Sequence, residues 1–438
     1  MQYEYTPNGL LEPLRRGLTK PKWQNLLVLV IAVQLGRTLV LRQLSLFLLL
    51  RISSASCYRR LERLLAWKEK ETWQPLRRLW VQAVLRTFAP GRGRVPLIID
   101  WTWHRERCRS LWVMLPVGGR AVPVCFWLAA PQTGGAGTQR ALEDTALTEL
   151  AGWLGKRRVV LMGDRGFRGR DRIRLLQRLG WSFVLRVSAE TQMQTPEGWA
   201  PLGALLPPLG GCWHCRQVLL GKPSKGHGKQ GAPVCVTVVA ARAGLPGGPP
   251  PKNRWGRGTH RGQRTRPPAD ETTWFLATDL ACPAAALQLY AWRMQIEQTF
   301  RDFKALYGME QEQLHQPEER LHALLWALQI GEALSLQAGD PTARVPRVRA
   351  GAWQMAADAE QARTLAAVPR YPAESAVRRG LHALLVHLLF ETSPLTQQLR
   401  AMACQSERLA QRPQVRLRRR PQPASRRRCR TAPGNAPA

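Results

Sequence analysis

Four polar residues of one segment, YAWRMQIEQTFRDFK (290–304), recur at a spacing typical of one helix face. They are Tyr290, Arg293, Glu297 and Lys304. Because an α-helix turns about 100° per residue, all four would point within an arc of roughly 60°, along a stripe roughly 21 Å long. A stripe that faced the core would be apolar, and a plain surface helix would scatter such groups. We therefore expect an extended polar ligand to lie along this face.

Two aspartates follow short apolar segments that have the composition of β-strands. Asp100 ends LIID, which is apolar on both faces and is therefore expected to be a central strand. Asp164 ends RVVLMGD, and Gly166 frees the turn after it. Taken singly, each aspartate has an ordinary alternative, since aspartate often starts turns and caps helices. Glu297 alone would be an ordinary solvated helix residue.

The three carboxylates together predict metal-dependent phosphate chemistry. If the two strands are neighbours and the helix crosses them, the carboxylates converge, and their repulsion requires bound divalent cations. Oxygen ligands favour Mg²⁺ or Mn²⁺. Two ions about 3.5–4 Å apart would contact both the attacking and the leaving oxygen of a phosphodiester. Tyr290, Arg293 and Lys304 would then hold adjacent phosphates, so the expected ligand is a nucleic-acid strand.

The charge of the whole chain favours the same kind of partner. The formal net charge is +35, from 65 Lys and Arg against 30 Asp and Glu. The segment Arg412–Arg430 contains nine arginines and no acid, so most of the excess lies in the rest of the chain. A polyanion is the expected partner, and nucleic acid is the first candidate.

The cysteines and the N-terminus predict a cytoplasmic protein with no membrane contact. The nine cysteines are scattered, and MQYEYTPNG has no basic start leading into an apolar stretch. The apolar run at 26–36 is about half the length needed to span a bilayer, so we expect a buried helix there.

These motifs resemble those of a known family. Tyr-x2-Arg-x3-Glu-x6-Lys is similar to the YREK signature of DDE transposases of bacterial insertion sequences, in the insertion-sequence-four superfamily. Asp100 in IIDWT and Asp164 in GDRGF look like the family's two catalytic aspartates, and Glu297 matches its glutamate. The resemblance covers roughly 90–340. One departure is that Met294, rather than Trp, follows the signature arginine, which should affect packing more than chemistry.

The resemblance implies a fold and a reaction. The fold would be a ribonuclease-H-like mixed α/β sheet with a β-rich insertion. The reaction would be cut-and-paste transposition: a metal-activated water nicks the element end, and the freed 3′-hydroxyl later attacks target DNA, in some members through a hairpin. Trp274 matches a tryptophan that stacks on a flipped base in the hairpin step. An equally good interpretation places Trp274 in the sheet core.

The order of predicted elements divides the chain into six parts. Helices open the chain, one of them at about 38–50, and three strands in an antiparallel meander follow. Helix–strand–helix–strand comes next, which indicates a mixed α/β sheet. The parts are a helical N-terminal DNA-binding domain (1–90), the first part of the catalytic core (91–187), a β-rich basic insertion (188–272), the end of the core with the YREK helix (273–315), a helical C-terminal region (316–410) and an Arg-rich disordered tail (411–438).

The N-terminal helices carry a second set of candidate DNA contacts. Arg59, Arg60 and Arg63 form one basic face of a helix that Ser53 or Ser54 begins. A DNA-binding module and a plain helical bundle with solvated arginines explain this face equally well.

The resemblance also predicts the partners. They are double-stranded DNA, as terminal inverted repeats and target, and a second copy of the chain, with 316–410 as a plausible dimer surface. The expected location is the nucleoid of a bacterial cytoplasm. Two alternatives to a transposase remain: a catalytically silent protein that only occupies element ends, and a ribonuclease-H-like nuclease that does not join strands.

Overall fold

The computed structural model describes most of the chain up to residue 345. The described ranges are 8–48, 53–67, 72–104, 108–129, 136–222, 232–242, 273–309, 318–340 and 342–345. The predicted Arg-rich tail, most of the predicted C-terminal helical region and residues 243–272 of the predicted basic insertion lie outside these residues.

The described strands form one mixed sheet of ten strands. In chain order they are β1 (Val95–His104), β2 (Cys108–Val117), β3 (Arg120–Ala129), β4 (Val159–Gly163), β5 (Ser182–Val187), β6 (Gln192–Thr195), β7 (Gly198–Pro201), β8 (Cys212–Leu220), β9 (Val234–Arg242) and β10 (Thr273–Thr278). Their order across the sheet is β3-β2-β1-β4-β5-β10-β9-β8-β6-β7. β1 and β4 pair in parallel, as do β4 and β5, and the other described pairs are antiparallel. The predicted mixed α/β class and the β1–β3 meander are confirmed.

The middle section of the chain continues this sheet. β10 pairs with β5 on one side and with β9 on the other, so β6 to β9 extend the sheet beyond the strands that carry the aspartates. Arg242, the last residue of β9, pairs with Thr273, the first residue of β10. The strands β6 to β9, which the structure describes within the predicted β-rich insertion (188–272), therefore belong to the common sheet. The six domain boundaries stay predictions.

Nine helices lie among the described residues. They are α1 (Asn8–Arg16), α2 (Lys20–Gly36), α3 (Leu41–Leu44), α4 (Ser54–Leu65), α5 (Gln74–Phe88), α6 (Ala136–Leu154), α7 (Arg170–Arg178), α8 (Pro283–Leu306) and α9 (Glu318–Gly339). As expected from the sequence, α2 is a buried helix, and Ser53 begins α4 by accepting a hydrogen bond from the Ser56 amide at 3.3 Å. No helix in the described ranges is both long and apolar enough to cross a bilayer.

The prediction of a helix at about 38–50 is wrong over the described part of that segment. Only Leu41–Leu44 is helical. The Ser45 hydroxyl donates to the Arg42 carbonyl at 2.7 Å, a local bond that competes with continuation of the helix. Leu46 and Phe47 follow with 71% and 36% of their surfaces exposed.

The N-terminal helices share one hydrophobic core with the sheet. Trp73, just before α5, stacks on Trp326 of α9 with ring centroids 5.3 Å apart. The Trp80 indole donates to the Pro123 carbonyl of β3 at 3.3 Å. Residues 321–336 of α9 are buried by the chain itself. That stretch of the predicted dimer surface is therefore not open to a partner.

Candidate active site

Asp100 lies on β1 just beyond the last residue that pairs with the parallel strand β4. The sequence predicted that a strand ends at Asp100, whereas β1 continues to His104 because β2 pairs with it along that length. β4 pairs with β1 only up to Ile99, opposite Gly163. Asp100 is thus the first β1 residue beyond the end of β4, and its Oδ1 accepts the Trp101 amide at 2.8 Å.

Asp164 directly follows Gly163 at the end of β4. Its Oδ1 accepts the Gly166 amide at 2.8 Å, and this bond caps a short 3-10 turn at Arg165–Phe167. Gly163 is closely surrounded, since a Cβ there would lie 3.1 Å from side chains of Leu185 and Phe167. Ile99 and Gly163 form the last pair between the parallel strands β1 and β4, and each aspartate is the next residue of its own strand segment. The predicted adjacency of these strands is confirmed.

Helix α8 crosses the sheet at this point, and two polar contacts with β3 fix its position. Thr299 bonds Ala121 twice: its Oγ1 accepts the amide at 2.8 Å and donates to the carbonyl at 3.1 Å. Asp302 accepts from the Arg120 guanidinium at 2.6 Å, and both side chains are largely buried. Sequence reasoning missed Thr299 and Asp302. They hold α8 so that Arg293 reaches the strand ends.

Arg293 joins the three predicted carboxylates. Its Nη2 lies 2.9 Å from Asp100 Oδ2 and 3.8 Å from Asp164 Oδ2, and its Nη1 lies 2.6 Å from Glu297 Oε1. The Arg293 and Asp100 side chains are 10% and 14% exposed, while those of Asp164 and Glu297 are 37% and 40% exposed. The structure thus brings Asp100, Asp164 and Glu297 together around one guanidinium, with the last two open to solvent.

Burial and charge perturb this cluster. Burial raises the pKa of Asp100 to about 6; Arg293 opposes the rise, and the nearby Asp164 and Glu297 carboxylates add to it. Burial by itself would lower the pKa of Arg293, but Asp100 and the other acidic neighbours raise it above its ordinary value. The guanidinium therefore stays charged, while burial makes the Asp100 carboxylate harder to ionise than an ordinary aspartate.

The donor chemistry of this cluster fits a hard divalent cation. All three groups offer carboxylate oxygens, and a positive charge already lies among them, on Arg293. The side-chain arrangement is different from that of a metal site. Within the described ranges, no three His, Cys, Asp or Glu side chains are close enough together to hold one ion. Asp100, Asp164 and Glu297 could ligate an ion together only after the guanidinium leaves the space between them.

The first half of the predicted polar stripe faces the sheet. Tyr290 is 1% exposed and Arg293 is 8% exposed, so an open surface for an extended ligand is not present at these two positions. Arg293 can be buried with its charge because it pairs with the carboxylates of Asp100, Asp164 and Glu297. Lys304, near the end of α8, is half-buried.

The surroundings of Tyr290 include a cation that sequence reasoning missed. Trp274, on β10, packs edge-to-face against Tyr290 with ring centroids 4.9 Å apart, and is partly buried. Burial raises the pKa of Tyr290, and this rise is opposed by Arg293 and by Arg186 of β5. Arg186 also donates to the Thr273 carbonyl at 3.3 Å. The available signal was a single charged residue within the apolar strand WSFVLRV.

The N-terminal arginines lie on α4 and differ in exposure. Arg59 and Arg63 are exposed, and Arg63 donates to the Arg59 carbonyl at 3.4 Å. Arg60 is half-buried and donates to Asn25 Oδ1 of α2 at 2.8 Å. The basic face predicted from the sequence is therefore partly engaged in helix packing, and its role in DNA binding stays a prediction.

Comparison with known proteins gives a family similarity for part of the chain. Residues 131–330 match the family model described as "Transposase DDE domain". The match includes Asp164, Arg293 and Glu297, and Asp100 precedes it. A comparison with curated proteins found no match.

Among solved structures, one similar chain is that of the "Cryo-EM structure of piggyBac transposase synaptic complex with hairpin DNA (SNHP)". The identity is 11% and the TM-score is 0.40, over 91% of this chain and 80% of that chain. The sequence match, which holds two of the three carboxylates and the arginine between them, supports a transposase DDE domain in this chain.

Proposed function

We propose that this chain is a DDE transposase that cuts and joins DNA in the cut-and-paste transposition of a bacterial insertion sequence, and that it belongs to the insertion-sequence-four superfamily. The observation that carries the proposal is the meeting of Asp100, Asp164 and Glu297 around Arg293. Two of these acids lie in the segment that is similar to transposase DDE domains.

We assign the β1–β5 half of the sheet to the ribonuclease-H-like class. The strand order β3-β2-β1-β4-β5, with an antiparallel meander followed by two parallel strands, supports this assignment. Ligands of sheets with parallel strands commonly bind beyond the carboxyl ends of those strands. Asp100 and Asp164 lie at that edge, so the DNA strand to be cut would lie against it.

The carboxylates of Asp100, Asp164 and Glu297 would hold Mg²⁺ or Mn²⁺, as two ions. Bound divalent ions would stabilise charge on the attacking and leaving oxygens. In the first step, a water oxygen bonds to phosphorus as the bond to the 3′-oxygen breaks, and that oxygen takes up a proton. In the joining step, the freed 3′-hydroxyl oxygen bonds to a target phosphorus while another P–O bond breaks, so no oxidant or reductant is needed.

Other residues of the chain would bind and orient the DNA. Lys304 would contact a phosphate next to the reacting one, and Tyr290 would support Arg293 and Trp274. The edge-to-face contact with Tyr290 leaves Trp274 partly exposed, which suits stacking on an extruded base. The exposed Arg59 and Arg63, with Arg60, would contact the terminal inverted repeats. Two copies of the chain would act on two paired ends.

The test uses supercoiled plasmid DNA that carries the sequences flanking the gene, incubated with the full chain and Mg²⁺. We expect excision followed by integration. Binding without cutting would favour a silent protein that occupies element ends, and breaks that are never joined would favour a nuclease. Either result would overturn the proposal.

A matched pair of variants ties the reaction to the site. Asp164→Asn should abolish cutting and keep DNA binding, because it removes one carboxylate of the cluster. Asp171→Asn is the control, since that exposed aspartate pairs with Arg140 and Arg174 on the surface. Normal cutting by Asp164→Asn would place the chemistry elsewhere.

A further inference from the structure

The guanidinium of Arg293 lies where the three carboxylates meet. Its Nη2 contacts both aspartates, and its Nη1 contacts Glu297. Arg293 Nη2 lies 2.9 Å from Asp100 Oδ2 and 3.8 Å from Asp164 Oδ2. These two carboxylate oxygens are therefore close to each other, with the nitrogen between them. An arginine with this many acidic partners on one chain is not positioned to hold a phosphate at the same time.

The cluster also needs a cation for electrostatic reasons. One guanidinium faces three acids, and Asp100 is largely buried. Removal of the cation without a substitute would leave like charges close together. A ligand that replaces Arg293 among the carboxylates must therefore be a cation. A ligand that draws the guanidinium away must be an anion that binds it more strongly than these carboxylates do.

We propose that Arg293 is a built-in counterion that keeps the carboxylate site closed to divalent ions until a DNA phosphate draws the guanidinium away, so that DNA and metal bind cooperatively. This inference rests on the proposed function. A DNA phosphate can compete with the three carboxylates for the guanidinium, because it accepts two parallel hydrogen bonds from it. Withdrawal of Arg293 frees oxygens of all three carboxylates together.

Such a coupling is reciprocal. If DNA raises the affinity for the metal by some factor, the metal raises the affinity for DNA by the same factor, and couplings of this kind are typically about 5- to 150-fold. The free protein would bind divalent ions weakly. Metal would then enter the site mainly when DNA is already present.

The test measures Mn²⁺ binding to the full chain without DNA, by calorimetry or by the paramagnetic signal of free Mn²⁺. We expect Arg293→Gln to bind Mn²⁺ at least about tenfold more tightly than the unmodified chain. Arg301→Gln is the matched control: it removes the same charge from an exposed position on α8, where Arg301 donates to the Gln298 side chain at 2.8 Å. It should leave Mn²⁺ affinity nearly unchanged.

A second variant separates occupancy of the site from simple charge repulsion, and it also serves if Arg293→Gln does not fold. Arg293→Lys keeps the charge, but its single ammonium cannot bridge three carboxylates as the forked guanidinium does. We expect tighter Mn²⁺ binding in this variant too. An affinity equal to or weaker than that of the unmodified chain in Arg293→Lys would overturn the inference.

One further variant distinguishes failure of this inference from failure of the proposed function. Asp164→Asn should weaken Mn²⁺ binding in the Arg293→Lys background if the carboxylates are the metal site. If Asp164→Asn has no effect there, the proposed metal site itself is wrong. If Asp164→Asn weakens binding but Arg293→Lys does not tighten it, only the role of Arg293 is wrong.

Discussion

Two arginines on opposite faces of β1 each hold more than one carboxylate, but their surroundings differ. Asp100 faces α8 and Arg293, while the next residue, Trp101, faces α6, because side chains alternate along a strand. On the α6 face, Arg172 of α7 bonds both Glu143 and Asp144.

Around Glu143 the Arg172 cluster is buried, and both carboxylate oxygens of Glu143 have internal donors, whereas its second acid, Asp144, is 44% exposed. One Glu143 oxygen accepts the Trp101 indole at 2.7 Å and the Gln139 amide at 3.0 Å, and the other accepts Arg172. One cation there faces two acids, and the Glu143 side chain is 5% exposed. At Arg293 one cation faces three acids, and two of these acids are more than a third exposed.

This difference separates an ion cluster that holds the fold from one that can react. Where both oxygens of a buried carboxylate have internal donors, as at Glu143, a new ligand has little to gain, and loss of one partner weakens the pairing of a buried charge. At Arg293 the carboxylates of Asp164 and Glu297 both reach solvent, so an incoming cation or phosphate can rearrange the contacts. Strand β1 places the two kinds of cluster one residue apart.

The largest expected effect is on catalysis by the solvent-facing cluster. Glu297→Gln should reduce DNA cleavage on the order of ten-thousand-fold, because it removes a carboxylate that the proposed reaction requires, while end binding persists. Asp144→Asn is the matched control, since Asp144 is 44% exposed and also bonds an arginine. Cleavage assays and gel-shift measurements on both variants check this. Equal loss of cleavage in the two would remove the contrast between the clusters.

The next effect is on stability, and it concerns the buried cluster. Glu143→Gln should lower the free energy of unfolding by about 3 to 5 kcal/mol, because Arg172, which is 2% exposed, would keep its charge with only the solvent-exposed Asp144 as an acidic partner. Urea denaturation of the variant and of Asp144→Asn measures this, with the smaller loss expected for the exposed Asp144. A loss below about 1 kcal/mol for Glu143→Gln would show that Arg172 readily finds water or another partner.

The smallest effect concerns a buried carboxylate without any arginine bond, Glu332 of α9. In the described part of the chain neither of its oxygens has a hydrogen-bond partner, and burial raises its pKa well above the ordinary value of 4.5; Asp302 adds to the rise and Arg120 opposes it. Above pH 4.5 the unfolded chain loses this proton while the folded chain keeps it, so stability falls as the pH rises.

Glu332→Gln removes that titration. Its melting temperature should exceed that of the unmodified chain by a few degrees at pH 8 and by much less at pH 5, as thermal denaturation at the two pH values would show. Tyr307, whose pKa burial also raises, titrates too high to produce this difference. An identical gain at both pH values would mean that Glu332 is already ionised in the folded chain.

The sequence predicted local elements well because their signals are local. The strand-like composition of β1 to β3, the serine that begins α4 and the helical spacing from Tyr290 to Lys304 all appear in the structure as expected. The parallel pairing of β1 with β4 was reachable as well, since apolar strands followed by aspartate suggest one shared edge.

Other features depend on contacts between distant parts of the chain. The length of β1 beyond Asp100 is set by pairing with β2, and the position of α8 by Thr299 and Asp302 on β3. The stripe on α8 was expected to face a ligand, whereas Arg293 faces acids of its own chain. A spacing pattern shows which residues share a face but not what that face meets.

The paired ends of β9 and β10 have a practical consequence for the thirty residues that connect them. Arg242 and Thr273 are register partners in the sheet, so the two anchor points of this connection are fixed side by side. The entropic cost of closing a loop between fixed anchor points rises only slowly with the length of the loop. Segments of other lengths, or a reporter domain grafted at this junction, should therefore cost the fold little while the edge that carries the acids stays unchanged.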